Sequence, residues 1–260
     1  MGNAPAAEVC VCPPVGGAEQ VAGARLLRIL ARLEAGAATG PAPARLCEVC
    51  AEVTAMTGAG IMLMSGDVPG GSICSSNEVS ALIEDLQYTL GEGPCVEAYQ
   101  LDRAVLEPDL ADPGVNRWVA FTPGAVKAGA RAVFGFPLRV GAIRIGALNL
   151  YRDHPGPLDD DQHADALVLA GVAARAVLAM QADAPPGLLA AGLEAGSDLR
   201  SVVHQASGMV SAQLGVNVGE AFARLRAHAF AHDRPLTAVA KEVVARRLRF
   251  SDPSAPGLAD

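Results

Sequence analysis

Cysteines are the most reactive side chains of this 260-residue chain, which has 6 of them. Two closely spaced pairs, Cys10 with Cys12 and Cys47 with Cys50, have the spacing of zinc ligands. Neither pair stands in a knuckle-like loop, and Cys47 and Cys50 fall within an apolar helical pattern. We therefore predict no metal site and no cofactor. Because the first residues lack a secretory signal, we interpret the cysteines as reduced, buried thiols.

Patterns that would indicate catalysis are weak. The sequence shows no Ser/His/Asp constellation and no Gly-rich loop of the type that holds phosphate. His228 and His232 are one helical turn apart, but two imidazoles without a third ligand are typical of a solvated helix face. We predict that the protein is not an enzyme.

The basic residues are concentrated near the C-terminus. The net charge is −8, yet residues 198–250 contain 8 of the 20 Lys and Arg residues and 4 of the 28 Asp and Glu residues. A basic segment on an acidic protein indicates a polyanionic partner for that segment alone, because the rest of the chain would repel it.

The elements before this basic segment predict an α+β domain over residues 18–182. A helix ending before Gly36 opens it, and Asn77 is predicted to cap a later helix. The predicted strands are Ile61–Met64, Ser72–Ser76, Arg131–Val140 and Ala142–Tyr151, the last two forming a central antiparallel hairpin around Gly141. The other predicted helices are Leu46–Met56, Glu78–Leu90, Pro94–Gln100 and Asp159–Met180.

The remaining segments are predicted to be connections and tails. Residues 1–17 are predicted to be disordered, 251–260 to be a flexible tail, and 183–197, with Pro185-Pro186-Gly187, to be a linker. The apolar stretch Ala164–Met180 contains Asp165 and Arg175, so we interpret it as a buried helix. We expect a cytoplasmic protein with no membrane partner.

Residues 198–250 predict three short amphipathic helices. Their apolar positions recur at helical spacing, and Asn217 with Glu220 resembles a capping box for the second helix. The apolar positions are Val202, Val203, Ala206, Met209, Val210 and Leu214, then Ala221, Phe222, Leu225 and Ala229, then Leu236, Val239, Ala240, Val243, Val244 and Leu248.

This C-terminal segment resembles the ANTAR domain. The resemblance rests on Val203-His-Gln-Ala-Ser-Gly-Met-Val210, on Glu220-Ala-Phe-Ala-Arg-Leu-Arg-Ala-His-Ala229 and on Leu236 with Val239-Ala240. A departure is Ser207, where many members carry Lys. The resemblance implies a three-helix bundle that binds hairpins in nascent RNA and relieves transcription termination.

Residues 20–182 resemble a GAF domain. The resemblance rests on the helix-strand opening, on Leu90-Gly-Glu-Gly-Pro-Cys-Val-Glu-Ala98 and on the hairpin from Phe136-Pro-Leu to Gly146-Ala-Leu-Asn-Leu150. It implies a PAS-like fold, an antiparallel sheet flanked by helices, and an unknown small-molecule ligand. Together the two resemblances imply a GAF-ANTAR antitermination regulator of the actinobacterial type.

RNA hairpins are bound through phosphates and through bases exposed in the loop. The predicted phosphate contacts are therefore cationic: Arg200, Arg224, Arg226, Lys241, Arg246 and Arg247. Arg226 is the first choice among them. His204 and Gln205 are predicted to hydrogen-bond a loop base, and Gly208 to allow close approach.

Two other interpretations remain open. The three helices resemble a DNA-binding helix-turn-helix in length and charge, although no tight turn leads into a polar recognition helix. Free methionine sulfoxide reductases are GAF domains with a cysteine where Cys95 stands, but no cysteine lies near Ala132–Phe136, where their main catalytic residue belongs. Cys74 and Cys95 are kept as a candidate redox or ligand-sensing pair.

A signal is predicted to reach the basic segment in one of two ways. The helix Asp159–Met180 leads from the larger domain toward the linker and is predicted to pair with its copy in a homodimer. Alternatively, the acidic domain masks the basic one.

Overall fold

The computed structural model describes residues 16–35, 42–65, 68–112, 117–183, 198–232, 234 and 236–251. We call residues 16–183 of this part the sheet domain and residues 198–251 the C-terminal bundle. The architecture is α+β, with an antiparallel sheet flanked by helices followed by C-terminal helices, as predicted.

The sheet has five strands in the described part of the chain, in the order β2-β1-β5-β4-β3. All neighbouring strands run antiparallel. Gly141, with φ +59°, forms the turn between β4 and β5, as the hairpin pattern predicted. The strands are β1 Gly58–Ser65, β2 Val68–Ser75, β3 Val105–Glu107, β4 Ala132–Val140 and β5 Ile143–Arg152.

One face of the sheet packs against two helices, α2 Ala42–Thr54 and α6 Asp160–Asp183, and α1 Gly16–Ala35 packs on these two helices. Because strand side chains alternate between faces, alternating residues of β4 and β5 lie in this core, namely Phe134 with Phe136 and Leu148 with Leu150. Asp165 of α6 joins the layer to α1, since its carboxylate accepts hydrogen bonds from Arg25 and Arg28.

The opposite face packs against α3 Glu78–Leu90 and α4 Pro94–Leu101, and α5 Phe121–Lys127 packs on α3. α3 begins and ends as its sequence predicts. The Asn77 side chain accepts a hydrogen bond from the Ser80 backbone N–H at 2.8 Å, and Gly91 ends the helix with φ +67°.

Two elements were not predicted. β3 is a strand of 3 residues, and α5 contains Thr122-Pro123-Gly124, which is typical of a turn. α5 begins where it does because the Glu92 carboxylate accepts the backbone N–H groups of Ala120 and Phe121 at 2.6 and 2.8 Å. A contact from 28 residues away leaves no local sequence signal.

α6 alone among the described helices has the length and apolarity of a membrane-crossing helix, over Asp160–Met180. Its Leu169, Ala173 and Val177 are fully buried in the core below the sheet. α6 is therefore a core helix of the sheet domain, as predicted.

The predicted terminal and linker segments lie mostly outside the described residues. The predicted N-terminal tail, 1–17, overlaps α1, which begins at Gly16. Residues 1–15, 184–197 and 252–260 fall outside the described part of the chain.

Candidate nucleic-acid interface

The C-terminal bundle consists of α7 Asp198–Leu214, α8 Val218–Ala231 and α9 Leu236–Val244. Asn217 caps α8, because its side-chain oxygen accepts a hydrogen bond from the Glu220 backbone N–H at 2.9 Å. The apolar positions that define the predicted stripes lie in one core: Val203, Ala206, Val210, Ala221, Leu225, Ala229, Leu236, Val239, Ala240 and Val243.

α9 is shorter than its apolar pattern predicted. The helix ends at Val244, and Arg246 has φ +59°, so the chain turns before the last basic residues. Arg246, Arg247 and Arg249 therefore follow the helix as a separate, exposed turn.

Six of the bundle's eight Lys and Arg residues form two groups. In the first group, Arg224 pairs with Glu220 at 2.8 Å and Arg234 pairs with Glu242 at 2.9 Å. The hydrogen bond from Arg234 lowers the pKa of Glu242, and the nearby charge of Arg247 adds to this effect. Each of these two arginines has an ion-pair partner within the bundle.

The second group consists of Lys241, Arg246, Arg247 and Arg249, which we call the basic turn. All four are exposed, and none makes an ion pair with a described residue. The sheet domain differs, because most of its arginines bind carboxylates: Arg25, Arg28, Arg32, Arg45, Arg117, Arg131 and Arg139. The basic turn is thus available to an external anion.

The predicted α7 contacts lie on the bundle surface. His204, Gln205 and Gly208 are exposed, whereas Ser207 is buried and its hydroxyl donates to the Val203 carbonyl oxygen at 2.8 Å. The Ser207 hydroxyl hydrogen is therefore used within α7. Arg200 belongs to α7, but its side chain lies outside the described part.

Arg226 does not lie with the basic turn. Its guanidinium contacts the sheet domain at Gly91, so closely that a Cβ at Gly91 would lie 1.4 Å from Arg226 Nη1. Arg226 also stacks on the ring of Phe222, with Cζ 5.0 Å from the ring centroid. It makes no ion pair with any described residue, and desolvation lowers its pKa.

The bundle contacts the sheet domain through an apolar patch. Phe222 lies 5.6 Å from Tyr88, centroid to centroid, and His204 lies 6.3 Å from the same ring. Met62, Cys95 and Ala147 of the sheet domain belong to the same buried cluster as the bundle core. We call Met62, Tyr88, Cys95 and Ala147 the docking patch.

A groove follows the edge of this contact. Its volume is about 460 Å³, and it is lined from both domains by Thr89, Leu90, Glu92, Val119, Ala120, Ala223, Arg226, Ala227 and Phe230. Val119 and Phe230 are among its exposed apolar side chains. The sequence could not place it, because its walls come from segments over 100 residues apart.

The cysteine predictions require correction. Cys47 of α2 and Cys74 of β2 form a disulfide, so the prediction of reduced thiols throughout is wrong. Cys74 and Cys95 also do not form a pair, since Cys74 lies in the core with α2 and Cys95 in the docking patch.

The two free cysteines among the described residues, Cys50 and Cys95, are buried. Burial raises the pKa of Cys50 to about 12. Burial also raises the pKa of Cys95 well above its ordinary value, and the Glu84 carboxylate adds to the shift. Neither thiol has the lowered pKa of a reactive nucleophile.

Reduction of the disulfide is expected to destabilise the sheet domain. Cys47 and Cys74 are 27 residues apart, and releasing a loop of this size lowers the free energy of unfolding by roughly 2–4 kcal/mol. Urea unfolding with and without a thiol reductant measures the effect. Cys47→Ser should unfold at one midpoint in both conditions, whereas Cys50→Ser should keep the response to reductant. A urea unfolding midpoint of the wild type that is the same with and without reductant contradicts the expectation.

The histidine pair is a surface feature, as its spacing predicted. His228 and His232 stack with centroids 4.1 Å apart, and His232 Nδ1 contacts the His228 carbonyl oxygen. No group of three His, Cys, Asp or Glu residues in the described part has the arrangement of a metal site.

The family comparisons agree with this two-part structure. Residues 44–178 match the GAF domain and residues 191–244 match the ANTAR domain. A comparison with curated protein sequences gave no match.

Solved structures with a related fold cover the sheet domain. A GAF domain of a phosphoenolpyruvate-protein phosphotransferase from Coxiella burnetii is 13% identical, with 61% of this chain and 96% of that chain covered and a TM-score of 0.46. The corresponding Acinetobacter domain is 12% identical, with 62% and 96% covered and a TM-score of 0.45. A type II free methionine-R-sulfoxide reductase from Thermoplasma acidophilum is 19% identical, with 57% and 93% covered and a TM-score of 0.41.

The sheet domain and the C-terminal bundle together define a sensor domain joined to a regulatory helical module. The chain belongs to the GAF domain family and carries an ANTAR domain behind its GAF domain, as the sequence resemblance implied. GAF and ANTAR domains are regulatory domains rather than catalytic ones.

Proposed function

We propose that this regulator binds hairpins in nascent RNA through its C-terminal bundle and thereby relieves transcription termination. The observation that carries the proposal is the basic turn, whose exposed cations have no ion-pair partner among the described residues. Phosphate contacts supply much of the affinity for nucleic acid, and each contact displaces counterions. The proposed contacts are Arg200, His204, Gln205, Gly208, Arg224, Arg226, Lys241, Arg246 and Arg247.

The structure favours RNA over a helix-turn-helix contact with DNA. A recognition helix needs several exposed side chains to reach base edges in the major groove. Lys241 is the one exposed residue of α9, and α9 is 9 residues long. Arg246, Arg247 and Arg249, the other three cations of the basic turn, lie instead beyond the helix, which suits phosphates beside an open RNA loop.

Binding of the full chain to two probes of equal length tests the proposal. The probes are an RNA with two tandem hairpins and a DNA duplex, each titrated from low to physiological salt. We expect tighter binding to the RNA, and weaker binding when the loops are closed by base pairs. Preference for the DNA duplex would assign the bundle to DNA regulation instead.

The sheet domain is proposed to sense a small polar molecule. Gln87 and Asn149 are fully buried, and Gln87 Nε2 and both side-chain atoms of Asn149 have no hydrogen-bond partner in the described part. A ligand with complementary groups would satisfy them and remove their desolvation cost.

Native mass spectrometry of the full chain after incubation with cell extract tests whether the sheet domain binds such a ligand. We expect the wild type to retain a small molecule that the Asn149→Leu variant does not retain. Equal retention by the two proteins contradicts the proposed site.

A second copy of the chain is proposed to pack on α1 and α6. Leu27 is 69% exposed and Leu167 is 51% exposed, on two helices that Arg25 and Arg28 join to Asp165. An exposed apolar surface on paired helices is typical of an interface. Light scattering of the wild type and of Leu27→Glu with Leu167→Glu measures the mass. We expect the wild type to be a dimer and the double variant to be a monomer. The protein is also proposed to be cytoplasmic. A monomeric wild type excludes this interface.

A further inference from the structure

The bundle faces the sheet domain with the same side of α8 that carries Arg226. Phe222 and Arg226 are one helical turn apart, so both project toward the sheet domain. Phe222 is 4% exposed and packs on Tyr88, while Arg226 reaches Gly91. The side of α8 with Arg226 is therefore covered in this structure, whereas the basic turn stays open.

Arg226 has a specific electrostatic partner in the docked arrangement. Gly91 ends α3, and the last carbonyl groups of a helix carry partial negative charge. The guanidinium thus lies at the negative end of α3 without a carboxylate partner among the described residues. An RNA phosphate offers a full negative charge and hydrogen-bonds a guanidinium more strongly. The docked contact is one that an RNA phosphate could replace.

We propose that sheet-domain docking and RNA binding compete for Arg226, which leaves the C-terminal end of α3 when it binds an RNA phosphate. The proposal rests on the proposed RNA-binding function. The docking patch holds the bundle in the covered state, in which only the basic turn contacts RNA. Release of the bundle exposes Phe222, Arg226 and the docked side of His204, and complete RNA recognition then becomes possible.

Gly91→Ala tests the competition directly. The new Cβ would lie 1.4 Å from Arg226 Nη1, the far end of a flexible side chain, so Arg226 must leave its place. Gly141→Ala is the matched control, because Gly141 has φ +59° against +67° for Gly91 and a Cβ there meets nothing within 4 Å. Both substitutions place alanine where the backbone is left-handed, which is unfavourable for it, but only Gly91→Ala displaces Arg226.

The readout is the affinity of each full-length protein for the tandem-hairpin RNA. If the released state is about 10% populated in the wild type, Gly91→Ala raises affinity by up to about tenfold, whereas Gly141→Ala leaves it unchanged. Adding Arg226→Ala to Gly91→Ala should remove the gain. Hydrogen exchange of α8 without RNA measures release independently and should rise in Gly91→Ala.

Three outcomes overturn the proposal. Equal RNA affinity of Gly91→Ala and Gly141→Ala removes the competition but leaves RNA binding intact. A gain that persists after Arg226→Ala shows that Arg226 is not the contested group. Failure of every variant to bind RNA, while α8 exchange still rises in Gly91→Ala, overturns the RNA-binding function together with the competition.

Discussion

Gly146→Ala is expected to unfold the sheet domain or to lower its free energy of unfolding by about 3 kcal/mol or more. Gly146 lies on β5 opposite Leu63 of β1, and a Cβ at this position would lie 2.1 Å from the Met62 carbonyl oxygen. That oxygen belongs to the backbone of the neighbouring strand, so it moves only if the β1–β5 pairing shifts. Chemical denaturation of the full chain measures the loss.

Gly171→Ala is the control for this substitution. Gly171 lies within α6, and a Cβ there meets nothing within 4 Å. Alanine in a helix interior is favoured over glycine by about 1 kcal/mol, so this variant should be unchanged or more stable. A Gly146→Ala protein that unfolds at the denaturant concentration of the wild type would show that β1 and β5 are not paired as described.

Removal of three cations from the basic turn is expected to weaken RNA binding by about tenfold or more at low salt. Lys241, Arg246 and Arg247 are exposed and have no ion pair among the described residues, so their full charge is available to phosphates. The variant replaces all three with alanine. The slope of log affinity against log salt should also become shallower, by roughly 0.7 to 0.9 for each lost phosphate contact.

The matched control removes the same charge from the sheet domain. Arg45, Arg131 and Arg139 each bind a carboxylate, and replacing all three with alanine changes the net charge equally. Interactions beyond about 10 Å are screened at 0.1 M salt, so this protein should bind RNA with nearly wild-type affinity. Equal losses in the two triple variants would mean that overall charge, not the basic turn, determines binding.

Elements with local signals were predictable from the sequence. α3 was predicted over Glu78–Leu90 with Asn77 as its cap, which the structure has. The β4–β5 hairpin followed from two apolar runs around Gly141. The bundle core followed from the 3.6-residue spacing of its apolar side chains.

Features that depend on distant contacts were not predictable. α5 begins at a carboxylate from another loop, and the Cys47–Cys74 disulfide joins elements whose approach only the folded sheet defines. Arg226 was predicted as the first RNA contact because it shares a helix turn with Leu225 of the predicted core and matches the ANTAR pattern. Its position at Gly91 depends on how the bundle docks, which no spacing in the sequence encodes.

The central claim, that the bundle recognises RNA hairpins, is tested most directly by selection with the immobilised full chain. One pool contains tandem RNA hairpins with randomised loops, and the other contains DNA duplexes of randomised sequence. The account predicts that RNA loop sequences become enriched over successive rounds, and that the variant lacking Lys241, Arg246 and Arg247 enriches none. Enrichment of a duplex DNA sequence, with no change in the RNA pool, would contradict it.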